Sequence, residues 1–190
     1  MSDTAIIIRF WHKNHEDQMW RYHYFTSCVL PRLQAQTDKD FDICILSPHD
    51  WHERLKALDN RIKPFTMATE GFDYESQGNF TYEMTKGLKR YPISIRMDSD
   101  DLVNPDFIEI IKKTDGNVTF QPELFLLDEL RVTKMNHVYR PDKPSMFLAL
   151  KNYPECIYHK VFFRFNATLI PAGKVWMTIH NRNRSTRKTS

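Results

Sequence analysis

The sequence predicts one α/β domain built on a mostly parallel β-sheet with helices on both faces. Over the first 114 residues, short β-branched apolar runs alternate with stretches of helical periodicity, which is the pattern of repeated βαβ units. The chain has 190 residues, and this length suits one domain with a sizeable core. Hydrophobic residues make up 41% and charged residues 27% of the chain, so its composition is that of a globular protein.

The front half of the chain contains the alternating elements. Strands are predicted at four apolar runs: residues 5–10, 41–47, 62–68 and 93–97. Helices are predicted at the stretches that separate and follow them: residues 19–35, 49–60, 79–91 and 104–114. Pro31 is expected to kink or restart the first helix, because proline lacks the backbone N–H. The last helix has the clearest start, with Asn104 as its N-cap and Pro105 at its first position.

The back half has a different pattern, which begins after Gly116. Residues 117–141 predict a strand, a turn near Asp128 and a second strand. Residues 162–170 and 174–180 are further candidate strands. We therefore expect a small mixed or antiparallel C-terminal part beside a front half of nucleotide-binding type.

Three carboxylates, which we call the acidic cluster, follow the strand at residues 93–97: Asp98, Asp100 and Asp101. Acidic residues between a strand and a helix often cap the helix, but Asn104 already supplies that cap in the prediction. Like charges this close repel one another, and burial would raise their pKa values. Arg96 can offset part of the charge. The cluster therefore needs another explanation than helix capping.

The chemistry of the acidic cluster favours a divalent cation. In an extended chain, residues i and i+2 point to the same side, so Asp98 and Asp100 would share a face. Ligands of open α/β sheets bind beyond the carboxyl ends of the strands, where this pair lies. Mg²⁺ or Mn²⁺ commonly takes one or two carboxylates together with phosphate oxygens and water. The alternative is a purely structural acidic loop.

These residues resemble a known family. A strand that ends in Asp-X-Asp within an α/β half resembles the metal motif of the GT-A glycosyltransferases. Residues 29–47 resemble the helix, Gln-Thr and strand segment of family 2 type enzymes. Residues 5–10, 91–108 and 175–185 are similar to the Arg-Phe, Arg-X-Asp-X-Asp-Asp and Trp…His…Asn-X-Ser patterns of the bacterial rhamnosyltransferase group. The resemblance implies a GT-A-like, Rossmann-type fold in a single domain, 1–190: a nucleotide-binding half (1–114), an acceptor half (115–180) and a basic tail (181–190).

The resemblance also implies roles for the matched residues. Asp98, Asp100 and His180 would hold Mn²⁺ or Mg²⁺ against the diphosphate of a nucleotide sugar. The residues implied to bind the nucleotide sugar are Arg9, Arg96, Asp101, Arg182 and Arg184. The alternatives are a surface histidine for His180 and structural ion pairs for Arg9 and Arg96. At the end of the second strand, Ser47 and Pro48 replace the acidic residues that many family 2 members have near the nucleotide.

The implied activity is a hexosyl transfer from a nucleotide-diphosphate sugar to a hydroxyl of a glycan or lipid-linked acceptor, in surface glycan synthesis. An inverting reaction needs a catalytic base, and the motifs do not single one out. Four carboxylates of the back half are the candidates: Glu123, Asp128, Asp142 and Glu155. Asp128 is expected in an exposed hairpin turn.

Charge is unevenly distributed along the chain. The formal net charge is +3, yet residues 174–190 contain five basic residues and no acidic one. Such a tail indicates an anionic partner, which includes a membrane surface at the periphery, or else a solvated terminus. The apolar run near the N-terminus is too short for a signal peptide or a membrane span, so we expect a cytoplasmic protein, with contact at the inner face of the membrane through the tail.

Functions other than glycosyl transfer are also compatible with this sequence. A glycosyltransferase fold could bind a nucleotide sugar or another anion without turnover. A metal-dependent phosphohydrolase or nucleotidyltransferase would also use paired carboxylates, but its products would differ. A nucleic-acid partner is not expected, because the sequence has no ribonucleoprotein pattern, zinc-finger spacing or helix-turn-helix signature.

Overall fold

The structure is a computed structural model that describes residues 2–10, 15–66, 91–128, 131–138, 148–151 and 167–179. The helix predicted at residues 79–91 lies outside these ranges except for its last residue, Tyr91. The candidate residues His180, Arg182, Arg184, Asp142 and Glu155 also lie outside them. Among the described residues, no helix is both long and apolar enough to span a membrane.

The main sheet has seven strands in the order β10-β6-β9-β4-β1-β2-β3. Their bounds are β1 Thr4–Arg9, β2 Asp42–Ser47, β3 Ile62–Thr66, β4 Ile93–Asp98, β6 Asn117–Phe120, β9 Leu148–Lys151 and β10 Ala167–Ile170. The neighbouring strands β3, β2, β1 and β4 are parallel, and so are β6 and β10, whereas β9 is antiparallel to both of its neighbours. The predicted mostly parallel sheet of an α/β fold is confirmed.

A second sheet of four strands has the order β5-β11-β7-β8. Its strands are β5 Leu102–Val103, β7 Glu123–Asp128, β8 Arg131–Val138 and β11 Val175–Ile179. Strands β7 and β8 form the predicted antiparallel pair, in which Asp128 is opposite Arg131. The sequence did not predict β5, which has only two residues and pairs with β11.

The helices predicted at residues 49–60 and 104–114 are shorter in the structure, whereas the helical stretch predicted at residues 19–35 begins earlier, at His15. The helical elements of the described residues are α1 His15–Tyr24, a π-helical turn Phe25–Val29, α2 Leu30–Gln34, a 3₁₀ turn His49–Trp51, α3 His52–Lys56 and α4 Phe107–Lys113. The predicted interruption at Pro31 is confirmed. The N–H of Leu30 donates to the carbonyl of Phe25, five residues back, and this π-type bond comes directly before Pro31 in the first turn of α2.

The predicted start of α4 at Asn104 and Pro105 is wrong. The helix begins at Phe107, and its N-cap, Asp106, makes no capping hydrogen bond with its side chain. The N–H of Phe107 instead closes a turn by donating to the carbonyl of Asn104 at 3.1 Å. A backbone N–H of the first turn has its partner in a distant part of the chain: the N–H of Ile108 donates to the side-chain oxygen of Gln36 at 3.1 Å.

The core lies on the main sheet and follows from its apolar runs. Strand β1 places Ile6 and Ile8 at zero exposure, and β2 does the same for Ile43 and Ile45. The contiguous cluster extends to helical residues such as Phe107. Burial of apolar surface stabilises the folded state by about 25 cal/mol per Å². This burial holds the strands of the main sheet in place, and with them the positions of the strand ends.

Candidate functional site

The reversal of strand order in the main sheet marks the candidate site. From β1 the chain goes to β2 and β3 on one side, and then returns to β4 on the other side of β1. The carboxyl ends of β1 and β4 therefore flank a topological switch point, where open α/β sheets bind ligands. Arg9 and Asp98 are register partners at these two ends.

The acidic cluster folds into a turn at this point. Strand β4 ends at Asp98, and the N–H of Asp101 donates to the carbonyl of Asp98 at 3.3 Å. The predicted extended geometry of residues 98–100 is therefore wrong. The chain must turn here because Leu102 and Val103 leave the main sheet and pair with β11.

Asp98 lies at the open side of the turn. Its side chain is 19% exposed, and its Oδ1 atom is 3.8 Å from Nη2 of Arg96, so the charge offset expected from Arg96 is present. Residues paired in register on parallel strands extend to the same face, so Arg9 shares a face with Asp98 and Arg96. These three residues form the charged floor of the site. Their roles toward a nucleotide sugar stay predictions.

Asp100 and Ser99 are buried, and a residue of α1 reaches both of them. Nη1 of Arg21 donates to Oγ of Ser99 at 2.9 Å and lies 3.7 Å from Oδ2 of Asp100. The sequence analysis missed Arg21, which is 78 residues from Ser99 along the chain. No local pattern marks it, because its partners are set by how α1 packs on the sheet.

Asp101 is the most deeply buried member of the cluster. Burial, and after it the charges of Asp100 and Asp98, raise the pKa of its carboxyl well above the usual 3.8. Its Oδ1 atom accepts a hydrogen bond from the N–H of Thr178 at 3.4 Å. Its Oδ2 atom is buried and has no hydrogen-bond partner among the described residues.

Tyr24 connects α1 to the same strand. Its hydroxyl is 3.1 Å from Oγ1 of Thr178, on β11. Burial raises the pKa of Tyr24 to about 12, and the nearby Cys28, Asp100 and Asp101 act in the same direction. Helix α1, the acidic cluster and β11 are therefore joined by polar contacts. His180 is the next residue but one after Thr178, although it lies outside the described ranges.

Two of the four candidate bases lie in the described part of the chain. Glu123 starts β7, and its Oε2 atom accepts a hydrogen bond from Nε1 of Trp176 at 2.8 Å. Asp128 ends the same strand at the hairpin with β8. Strand β11 separates β7 from β5, which follows the acidic cluster directly. The structure does not single out either carboxylate as the base.

The donor set of the cluster fits a divalent cation that also binds phosphate. No group of three or more His, Cys, Asp or Glu side chains forms a metal site among the described residues. A cation such as Mg²⁺ needs only one or two protein carboxylates when phosphates and water complete its shell. Asp98 and Asp100 would be these two, and the Oδ2 atom of Asp101, which has no hydrogen-bond partner among the described residues, is a further oxygen in the same turn.

Similar solved structures share the fold. The chain is similar to residues 1–349 of TarS from S. aureus in complex with UDP, with 12% identity, a TM-score of 0.60, and coverage of 94% of this chain and 61% of that one. A second crystal structure of the same TarS fragment gives 14% identity and a TM-score of 0.52, with coverage of 80% and 47%. The chain thus spans about half of the TarS fragment. No curated protein matches it.

A family model decides the classification. The model described as "Putative rhamnosyl transferase" matches residues 4–121, which is more than half of the chain. The match runs from β1 to β6 and includes the switch point and the whole acidic cluster. The likeness to TarS shows the fold, and the match to the family model shows the relationship in sequence. The chain therefore belongs to the rhamnosyl transferase family, within the glycosyltransferases of the GT-A fold.

Proposed function

We propose that this chain carries the donor site of a metal-dependent hexosyltransferase, which moves a sugar from a nucleotide-diphosphate sugar to a hydroxyl acceptor. The observation that carries the proposal is the acidic cluster at the switch point between β1 and β4, inside the region that matches the family. TarS was solved with UDP, so a uridine nucleotide is the first donor to test. A glycan or lipid-linked acceptor of surface glycan synthesis fits the family.

Asp98 and Asp100 would hold a Mn²⁺ or Mg²⁺ ion, and His180 is a further candidate ligand. When bound, such a cation neutralises the negative charge that grows on the leaving diphosphate. Arg9 and Arg96 share a face with Asp98, and they would donate charge-assisted hydrogen bonds to anionic oxygens of the nucleotide. Arg182 and Arg184 would add donors from the tail.

The buried carboxyl of Asp101 has a different role in this proposal. Burial, and after it the charges of Asp100 and Asp98, raise the pKa of this carboxyl well above its usual range, so the turn disfavours a third negative charge there. Its bond to the N–H of Thr178 holds the turn against β11. In this proposal Asp98 and Asp100 would hold the cation, whereas Asp101 would hold the turn in place.

The test is a thermal-shift screen of UDP, GDP and dTDP and their sugars, each with and without Mn²⁺. A ligand that binds only the folded state raises the melting temperature by mass action, by an amount that corresponds to about 2.7 kcal/mol at a hundredfold excess over Kd. Asp98→Asn and Asp100→Asn should abolish the metal-dependent part of the shift. A screen without hits, together with variants that are only more stable, would rule the proposal out.

The products distinguish the proposal from its rivals. A glycosyltransferase releases a nucleoside diphosphate and a glycoside, whereas a phosphohydrolase or nucleotidyltransferase releases phosphate or diphosphate. A binding protein without turnover is the second candidate, because the described candidate base Glu123 is hydrogen-bonded to Trp176 within the second sheet. Metal-dependent UDP-sugar binding without release of UDP, in the presence of a panel of hydroxyl acceptors, would favour that candidate.

A further inference from the structure

Helix α1 introduces a positive charge into the acidic cluster. Arg21 is mostly buried, with 16% of its side chain exposed, and it contacts Ser99 at 2.9 Å and Asp100 at 3.7 Å. Ser99 has no exposed surface, and Asp100 is 6% exposed. A buried carboxylate that loses a cationic partner is strongly destabilised. Arg21 is therefore a resident counterion of Asp100.

The two carboxylates that would hold the metal each have an arginine beside them. Arg96 lies 3.8 Å from Asp98, and Arg21 lies 3.7 Å from Asp100. The two ion pairs are electrically neutral together. A divalent cation that arrives alone would therefore be attracted only weakly, because each carboxylate already has an arginine beside it. A cation that arrives with a diphosphate brings the negative charge that offsets the two arginines.

We propose that Arg21 is a positioning residue that neutralises Asp100 until the donor arrives, and that it thereby makes cation binding dependent on the nucleotide diphosphate. This inference rests on the proposed function. The contact with Ser99 fixes the guanidinium, since one Nη1 atom serves both residues of the turn. The chain then binds Mn²⁺ weakly by itself and tightly together with UDP.

The experiment measures Mn²⁺ affinity by the EPR signal of the free ion, with and without UDP. In Arg21→Gln, Mn²⁺ alone should bind about tenfold more tightly than in the wild type, because a unit positive charge close to a divalent cation changes its affinity by roughly that factor. The gain in Mn²⁺ affinity that UDP provides should shrink by the same factor. Adding Asp98→Asn should remove the new Mn²⁺ binding, which places the ion at the cluster.

The matched control is Arg61→Gln. Arg61 has 19% of its side chain exposed and pairs with Asp59 at 2.8 Å, so the change removes a comparable ion pair outside the acidic cluster. It should lower the melting temperature and leave Mn²⁺ affinity unchanged. Arg21→Lys keeps the charge but not the planar two-residue contact, so its Mn²⁺ affinity should rise only about twofold.

The outcomes separate the two proposals. If wild type binds Mn²⁺ with UDP and Arg21→Gln has the same or a weaker affinity for Mn²⁺ alone, the role of Arg21 is wrong and the proposed function stands. If neither protein binds Mn²⁺ or UDP, both fail. If Arg21→Gln does not fold, Arg21→Lys decides, and an affinity for Mn²⁺ alone at or below that of the wild type overturns the inference.

Discussion

At the scale of single residues, Asp101 gives the fold a pH dependence that most carboxylates do not. In the unfolded chain this carboxyl loses its proton near its usual pKa of 3.8, whereas in the folded chain burial keeps the proton on to a higher pH. Between these two pKa values folding takes up a proton. The contribution of Asp101 to stability therefore falls as pH rises through this window.

The variant Asp101→Asn tests this dependence, because an amide has nearly the same shape and no charge. The free energy of unfolding in urea, measured with EDTA at about pH 5 and about pH 8, should fall less with pH in the variant than in the wild type. The difference between the two proteins isolates Asp101 from Asp98, Asp100 and Tyr24. Parallel pH profiles for the two proteins would contradict the raised pKa.

A second residue-scale prediction concerns the contact between Tyr24 and Thr178. Tyr24→Phe removes the hydroxyl that lies 3.1 Å from Oγ1 of Thr178, and this should cost about 1 kcal/mol of unfolding free energy. A double-mutant cycle with Thr178→Val gives the coupling energy, which should be of the same size. Additive effects of the two changes would show that the hydroxyls do not interact.

Site residues that are close to one another in the chain could be predicted from the sequence, whereas those that are distant in the chain were missed. Asp98 could be identified because it ends an apolar strand, and Arg96 because it is two residues away on the same face. Arg21 and Thr178 could not, since they reach the cluster only through packing of α1 and β11. The predicted extended geometry of residues 98–100 was wrong because the chain turns toward β11 at that point.

At the scale of elements, the segment after α2 fixes the helix that follows the acidic cluster. Gln36 has no exposed surface. Its Nε2 atom donates to the carbonyl of Asn104 at 2.7 Å, and its Oε1 atom accepts from the N–H of Ile108 at 3.1 Å. The neighbouring Thr37 donates its N–H to the carbonyl of Pro105 at 2.8 Å. The Gln-Thr pair noted in the sequence is therefore a clamp between two elements.

Gln36→Ala should destabilise the protein by about 1–3 kcal/mol, because it leaves the buried N–H of Ile108 in α4 without its partner. Unfolding in urea provides the measurement. Gln34→Ala is the matched control, because Gln34 is exposed and its side chain donates a hydrogen bond to Asp59 at 3.2 Å. Losing this bond should cost no more than about 0.5 kcal/mol. Equal costs at the two positions would rule out the clamp.

The clamp also shows why the cap of α4 was mispredicted. Asn104 and Pro105 form a strong local start signal, yet the helix begins at Phe107, where the distant side chain of Gln36 binds the N–H of Ile108. Similarly, β5 is too short to leave a periodic signal and exists because β11 pairs with it. The bounds of strands that consist of a continuous apolar run, such as β1 and β2, were predicted to within one residue.

At the scale of the whole molecule, the strand order explains where the site lies. Strands β1 to β4 place the switch point at the carboxyl ends of β1 and β4, and this much follows from alternating strands and helices. The sequence could not show that the back half contributes to both sheets. Strands β6, β9 and β10 extend the main sheet, whereas β7, β8 and β11 form the second sheet with β5. Pairings this distant in sequence leave no local pattern.

Strand β11 ends at Ile179, so the basic tail at residues 181–190 lies beyond the last described strand. Deleting this tail should leave the melting temperature of the free protein within about 2 °C of the wild-type value, because β11 keeps its pairing with β5 and β7. Binding of UDP with Mn²⁺ should weaken about tenfold, since the deletion removes four basic residues that can meet the diphosphate.

The matched variant Arg182→Gln/Arg184→Gln separates charge from chain length. If the two arginines contact the phosphates, it should reproduce most of the loss in UDP affinity, and the difference from the wild type should shrink as salt is raised. Isothermal titration at low and high salt gives both quantities. An unchanged UDP affinity in the deletion and in the matched variant would limit the donor site to the residues around β1, β4 and α1.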